Sequence, residues 1–168
     1  MDERAERYLK LHDFIGRNSR RYCDIFEENE NKKVFVHTNW AAFFFGPAWM
    51  FYRSMYAWGT LGLIANYIIA FISIFLVVGL YALGILKSGT VEELLSTVYT
   101  GIFINQLIVR LVFSLFADCI YRAYVFKNLT KTEGGASFVG VILGMFLSGV
   151  IEIIMSVIVQ VLAVMLIL

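Results

Sequence analysis

Arg110 and Glu152 are the residues with the most chemistry to account for, because each stands inside an otherwise apolar run. Ionisable groups in such runs are expensive and mark ion paths, proton relays or ligand contacts. The acid lies in LSGVIEIIMS, residues 147–156. Read at intervals of four, its run gives Gly140, Gly144, Ser148, Glu152, Ser156 and Gln160, and the run before it gives Gln106, Arg110, Ser114, Asp118 and Arg122. Residues four apart share one helix face, and Gly or Ser at that spacing lets two backbones approach closely. Two antiparallel helices with these ridges facing come into register when Arg110 opposes Glu152. The expected site is thus an intramembrane ion pair, supported by the flanking polar ridge. It either fixes the register of a compact bundle or serves to relay protons, bind an ion or hold an anionic headgroup. Asp118 and Arg122, four apart, are expected to pair along their own helix.

A second candidate is the aromatic block NWAAFFFGPAWMFYRSMYAW, residues 39–58. Trp and Tyr favour the headgroup zone of a bilayer, and an Arg can snorkel among them. Trp40, Phe44, Pro47, Trp49, Tyr52, Arg53 and Tyr56 are therefore expected to form an interfacial surface for lipid or a partner. Enzyme chemistry finds little support. The sequence has no Gly-rich phosphate loop, no HExxH, no GxSxG and no paired carboxylates suited to general acid–base work. His12 and His37 are isolated, and Cys23 and Cys119 lie 96 residues apart. Neither a disulfide framework nor a metal site is expected. The reading is non-enzymatic, with no cofactor.

The elements that must position these residues follow from composition. Of 168 residues, 60% are hydrophobic and only 16% charged, which excludes an ordinary soluble domain. A formal net charge of +1, with no basic patch interleaved with aromatics, argues against nucleic acid. Residues 2–30 are charge-rich with apolar residues at helical spacing, predicting two amphipathic helices broken around Gly16–Ser19. A cytoplasmic segment 1–38 is expected to precede a membrane domain 39–168. Pro47 after Gly46 suits the first position of a new helix, so the aromatic block should break there into an interfacial or re-entrant helix.

The first span is expected at about 60–85. Lys87-Ser88-Gly89 should end it, and Thr90 with Glu93 has the spacing of a capping box that starts a helix at Val91. The second span is expected at about 95–121 and the third at about 138–166, giving an all-α protein with three transmembrane helices. Nine Lys and Arg precede the first span, one follows it, three lie between the second and third, and none follows the last. That alternation puts the N-terminus in the cytoplasm and the C-terminus outside. No cleavable secretion signal is expected, since the first hydrophobic stretch begins only near Trp40.

NKKVFVHTNWAAFFFGPAWMFYRSMY, with Asn39, Trp40, Phe43 to Pro47, Trp49, Tyr52, Arg53, Met55 and Tyr56, resembles the NWxAFFFGPxWxxYRxMY signature of an uncharacterised family of small bacterial inner-membrane proteins, a domain of unknown function. The specific match covers about 25 residues, and ADCIYRAYVFKN fits more loosely. The resemblance implies a bacterial inner-membrane location and supplies no activity. The expected function is association in the membrane, as a homo-oligomer or as an accessory subunit of a complex, with lipids and other membrane subunits as partners. The alternative is a channel or transport subunit for ions or lipids that uses Arg110 and Glu152 between protomers.

Overall fold

Hydrophobic periodicity and a few punctuating residues account for seven helices in a computed structural model, which describes residues 3–86, 90–130 and 134–167. They are α1 (Glu3–Ile15), α2 (Ser19–Glu28), α3 (Trp40–Phe45), α4 (Pro47–Tyr52), α5 (Tyr56–Ala82), α6 (Val91–Asn128) and α7 (Phe138–Ile167). The protein is all-α, and α5, α6 and α7 are long and apolar enough to cross a membrane. It is a multi-pass membrane protein.

The local signals behave as their chemistry dictates. Gly16 and Asn18 take positive φ between α1 and α2, which breaks the amphipathic segment where expected. Gly46, at φ +53°, closes α3 and leads into Pro47 at the start of α4; only glycine holds that conformation without strain. Asn39 caps α3, its side-chain oxygen accepting the Ala42 N–H at 3.0 Å. Thr90 caps α6 by accepting the Glu93 N–H at 3.2 Å. The expected break at Lys87-Ser88-Gly89 lies outside the described residues.

Two compact units make up the chain, and neither follows the expected boundary at residue 38. The first comprises residues 1–59 and 110–144, the second 60–109 and 145–168. In the first, α1 and α2 bury Leu11, Phe14, Ile15, Tyr22, Ile25 and Phe26 with Trp49, Met50 and Met55, and with Ala117, Tyr121 and Val125 of α6. Residues 35–39 run beside α6, where the N–H groups of His37 and Asn39 donate to the carbonyls of Leu115 and Ser114, each at 3.0 Å. In the second unit Ile74 of α5, Leu94 and Val98 of α6 and Val159 of α7 form a small core. Tyr67 donates to the Ser148 carbonyl at 2.8 Å, and the Tyr99 hydroxyl meets the Ser156 hydroxyl at 3.2 Å.

α6 spans 38 residues, about 57 Å at 1.5 Å per residue, far more than a hydrocarbon core of about 30 Å. Part of it must lie outside the apolar layer. The expected span 95–121 crosses from one unit to the other at residues 109 and 110.

Close packing in the first unit rests on Gly140 and Gly144. A methyl at Gly140 would collide with the Phe51 carbonyl oxygen, and one at Gly144 would come within 3.1 Å of the Ala48 Cα. Gly140→Ala should lower the thermal unfolding midpoint, with a loss of about 1–3 kcal/mol. Gly79→Ala, on α5 where a methyl meets nothing within 4 Å, should leave it unchanged or slightly raised; equal effects of the two would contradict this packing.

Candidate functional site

A buried polar network around Asp118 dominates the first unit. Asp118 is fully buried, a position that a carboxylate occupies only when its oxygens are satisfied. The Asn39 amide donates to Oδ1 at 2.5 Å. The other oxygen, Oδ2, meets His37 Nδ1 at 2.6 Å and accepts from the Arg21 guanidinium at 3.3 Å. Three separate segments thus converge on one carboxylate of α6: α2 through Arg21, the stretch 35–39 through His37, and the α3 cap through Asn39. His37 and Arg21 remain partly exposed, whereas Asn39 is fully enclosed.

Arg53 sits in the same core and is only 2% exposed. Its guanidinium lies over the rings of Tyr22, Tyr121 and Tyr52, at 4.5, 5.2 and 5.3 Å from their centroids. One N–H donates to the Arg17 carbonyl at 2.9 Å, and no carboxylate pairs with it among the described residues. A buried guanidinium tolerates this because it is weakly hydrated and stacks on aromatic faces. The snorkelling Arg53 expected from the sequence is therefore corrected: it is a core cation.

The rest of the aromatic block divides in two. Trp49 is buried against Phe113 and Tyr121, and Pro47 and Tyr52 are half-buried. Trp40 and Phe44 are 65% and 64% exposed, and Tyr56 is also exposed. Trp40, Phe43 and Phe44 cluster through their rings. Because the first turn of α3 turns Ala42 inward, Trp40 and Phe44, which bracket it on the helix, face out.

The expected pair divides between the two units. Arg110 belongs to the first unit, where it donates to the Phe44 carbonyl at 3.2 Å. Glu152 belongs to the second unit and is exposed on α7. Neither takes part in an ion pair among the described residues. The ridge is dispersed accordingly. Ser114 bonds back to Leu111 of its own helix at 2.8 Å, Ser148 and Ser156 serve Tyr67 and Tyr99, Gly140 and Gly144 pack on α4, Gln106 is half-buried, and Gln160 is exposed.

Asp118 and Arg122 do not form the expected pair either. Arg122 donates to the carbonyls of Asn29, Lys32 and Lys33 at 2.6, 2.5 and 3.3 Å and stacks on Phe35. It fastens the chain after α2 to α6. Sequence reasoning missed Arg21, His37 and Asn39 as partners of Asp118, since 97, 81 and 79 residues separate the pairs. The one local signal was the odd placing of a charged Asp118 among apolar neighbours.

Beside this network, α1, α2 and α6 border a cleft of about 550 Å³, with Leu11, Phe26 and Phe126 as apolar lining and Arg7 and Glu30 as an exposed ion pair at 3.3 Å. Cys23 also lines it. Burial pushes the Cys23 thiol above its ordinary range, and Asp24 and Glu27 push the same way. No group of three or more His, Cys, Asp or Glu able to hold a metal occurs among the described residues.

Asp118→Ala should lower stability by about 3–5 kcal/mol, the scale for stranding buried partners, read as a fall in the unfolding midpoint; a change under about 0.5 kcal/mol, the scale of ordinary surface substitutions, would show that the network contributes little. Cys23 reacts only as thiolate, so maleimide should label it far more slowly in the folded chain than in denaturant at pH 7.5. Its raised value also makes the folded state lose stability as pH climbs beyond the ordinary thiol range, with no effect below it.

Comparison of the chain with protein-family models, with curated proteins and with solved structures finds no match, so the functional reading rests on this geometry.

Proposed function

We propose that the protein is a non-enzymatic membrane subunit that works by association of its transmembrane helices, with a second copy of itself as the partner. The observation that carries this reading is the exposure of Glu152 and Gln160 on α7, a helix otherwise made almost wholly of apolar residues. The second unit contributes residues 60–82, 91–109 and 145–167 of α5, α6 and α7, lengths suited to a bilayer. Glu152 lies seven residues beyond the start of the last of these, about 10 Å at 1.5 Å per residue. A charged residue facing hydrocarbon costs about 2.5–3.5 kcal/mol at a helix centre, and a polar contact from another helix relieves it.

A like copy fits that face. A carboxamide both donates and accepts, so Gln160 pairs with Gln160 across a two-fold axis along the membrane normal, while the Glu152 carboxylates, which repel each other, turn to polar groups of the partner helix away from that axis. Gly149, where a methyl would meet nothing within 4 Å, allows close approach on the same helix. The Lys and Arg distribution supports a cytoplasmic N-terminus, and the aromatic signature supports a bacterial inner membrane. Exposed Trp40 and Phe44 suit the headgroup zone at the membrane surface.

Native mass spectrometry of gently extracted protein tests the reading. Wild type should be a dimer or higher homo-oligomer, and Glu152→Leu combined with Gln160→Leu should weaken it roughly ten-fold or more, from one or two interhelical hydrogen bonds of about 1–2 kcal/mol each. A monomeric wild type, or an unchanged oligomer in the double variant, would refute it.

A further inference from the structure

We propose that Arg21 and His37 form a binding site for the phosphate of an anionic phospholipid headgroup, braced from behind by buried Asp118. Both side chains converge on the same oxygen, Asp118 Oδ2, and both are partly exposed while the carboxylate is not. Their inner faces are therefore anchored and their outer faces open. His37 meets Asp118 through Nδ1, which leaves Nε2 without a hydrogen bond among the described residues, a donor to phosphate when the ring is protonated. Its main chain is held as well, by the Leu115 carbonyl.

Arg21 contributes one terminal nitrogen to the carboxylate, and its guanidinium rests over Tyr22 at 5.0 Å. The remaining N–H groups keep the planar fork that matches a phosphate. A binding group fixed on two sides loses little entropy when it engages a ligand.

The choice of lipid over another phosphate source rests on Asn39. The same side chain that donates to Asp118 caps α3, so the pair of donors and the exposed aromatics Trp40 and Phe44 are tied through one residue. Trp favours the level of the glycerol and ester groups, and phosphate lies immediately outside it. The exposed cations Arg17 and Arg20 beside Arg21 disfavour a choline or other cationic headgroup substituent. A phosphodiester with an uncharged substituent, such as phosphatidylglycerol, is the fitting ligand. The inference rests on the proposed interfacial placement of α3 only for the source of the phosphate.

The test uses full-length protein in a neutral detergent, titrated with dihexanoyl phosphatidylglycerol, dihexanoyl phosphatidylcholine or inorganic phosphate and read by native mass spectrometry. Phosphatidylglycerol should bind at least ten times more tightly than phosphatidylcholine or inorganic phosphate. Arg21→Gln and His37→Gln should each weaken it about ten-fold, and Arg20→Gln, which leaves the Asp118 network untouched, should weaken it less than three-fold. Unfolding midpoints identify any variant that fails to fold, and His37→Asn with Arg21→Lys then serves as the milder replacement. Equal binding of the choline lipid, or wild-type binding by folded Arg21 and His37 variants, would overturn the site. Tighter binding of inorganic phosphate than of either lipid would overturn the lipid assignment. Subunit number in the same spectra reports the association reading separately, since these substitutions lie off α7.

Discussion

The first unit depends on one fully buried carboxylate. Asp118 draws the amide of Asn39, the imidazole of His37 and the guanidinium of Arg21 onto α6, so that one set of hydrogen bonds fixes a helix, the stretch before α3 and a helix cap together. An isolated carboxylate at that depth would be costly. Its satisfaction by three donors makes the cost conditional on correct assembly, because misplacing residues 35–39 removes the Asn39 donor to Oδ1. Arg122 repeats the device one turn further along α6, where its guanidinium gathers three carbonyls of the chain after α2.

Aromatic rings complete the insulation of this polar core. Tyr22 and Tyr121 meet edge to face at 4.9 Å, Trp49 abuts Tyr121, and together with Tyr52 the two tyrosines surround Arg53. These residues give much of the chain's aromatic block a role in protein packing and leave α3 to present the remainder outward. The division follows from helix geometry: the six-residue α3 buries Ala42 alone, while the equally short α4 buries Ala48, Trp49, Met50 and Phe51. Arg110 then supplies a donor to the Phe44 carbonyl near the end of α3, where helix carbonyls lack intrahelical partners.

The second unit is built on a different balance. Its core is small, and its helices present Ile64, Ile68, Ile72, Phe103, Ile104 and Ile153 outward, as expected of surfaces solvated by acyl chains. Between its helices Tyr67 donates to a backbone carbonyl and Tyr99 meets a serine hydroxyl. Against that background the exposed Glu152 and Gln160 are the residues whose surroundings the single chain does not complete, and the association reading addresses that physical demand.

Local chemistry made much of the fold legible in the sequence. The break at Gly16–Asn18, the Gly46-Pro47 junction, the Thr90 cap and three long apolar helices are all written in residues within a few positions of one another, and backbone preference decides them. Which side chains meet across the fold was not legible. The interval-of-four rows correctly placed Arg110, Asp118 and Glu152 on helices, yet charge and depth alone suggested an Arg110–Glu152 couple whose two members belong to different units. The actual partners of Asp118 come from residues about 80 to 100 positions earlier in the chain, and their approach depends on how α1 to α4 pack against α6. Sequence by itself determined the helices and their suitability for a membrane, because those follow from neighbouring residues and hydropathy; tertiary structure alone decided which charges are buried together, because that depends on contacts no local pattern encodes.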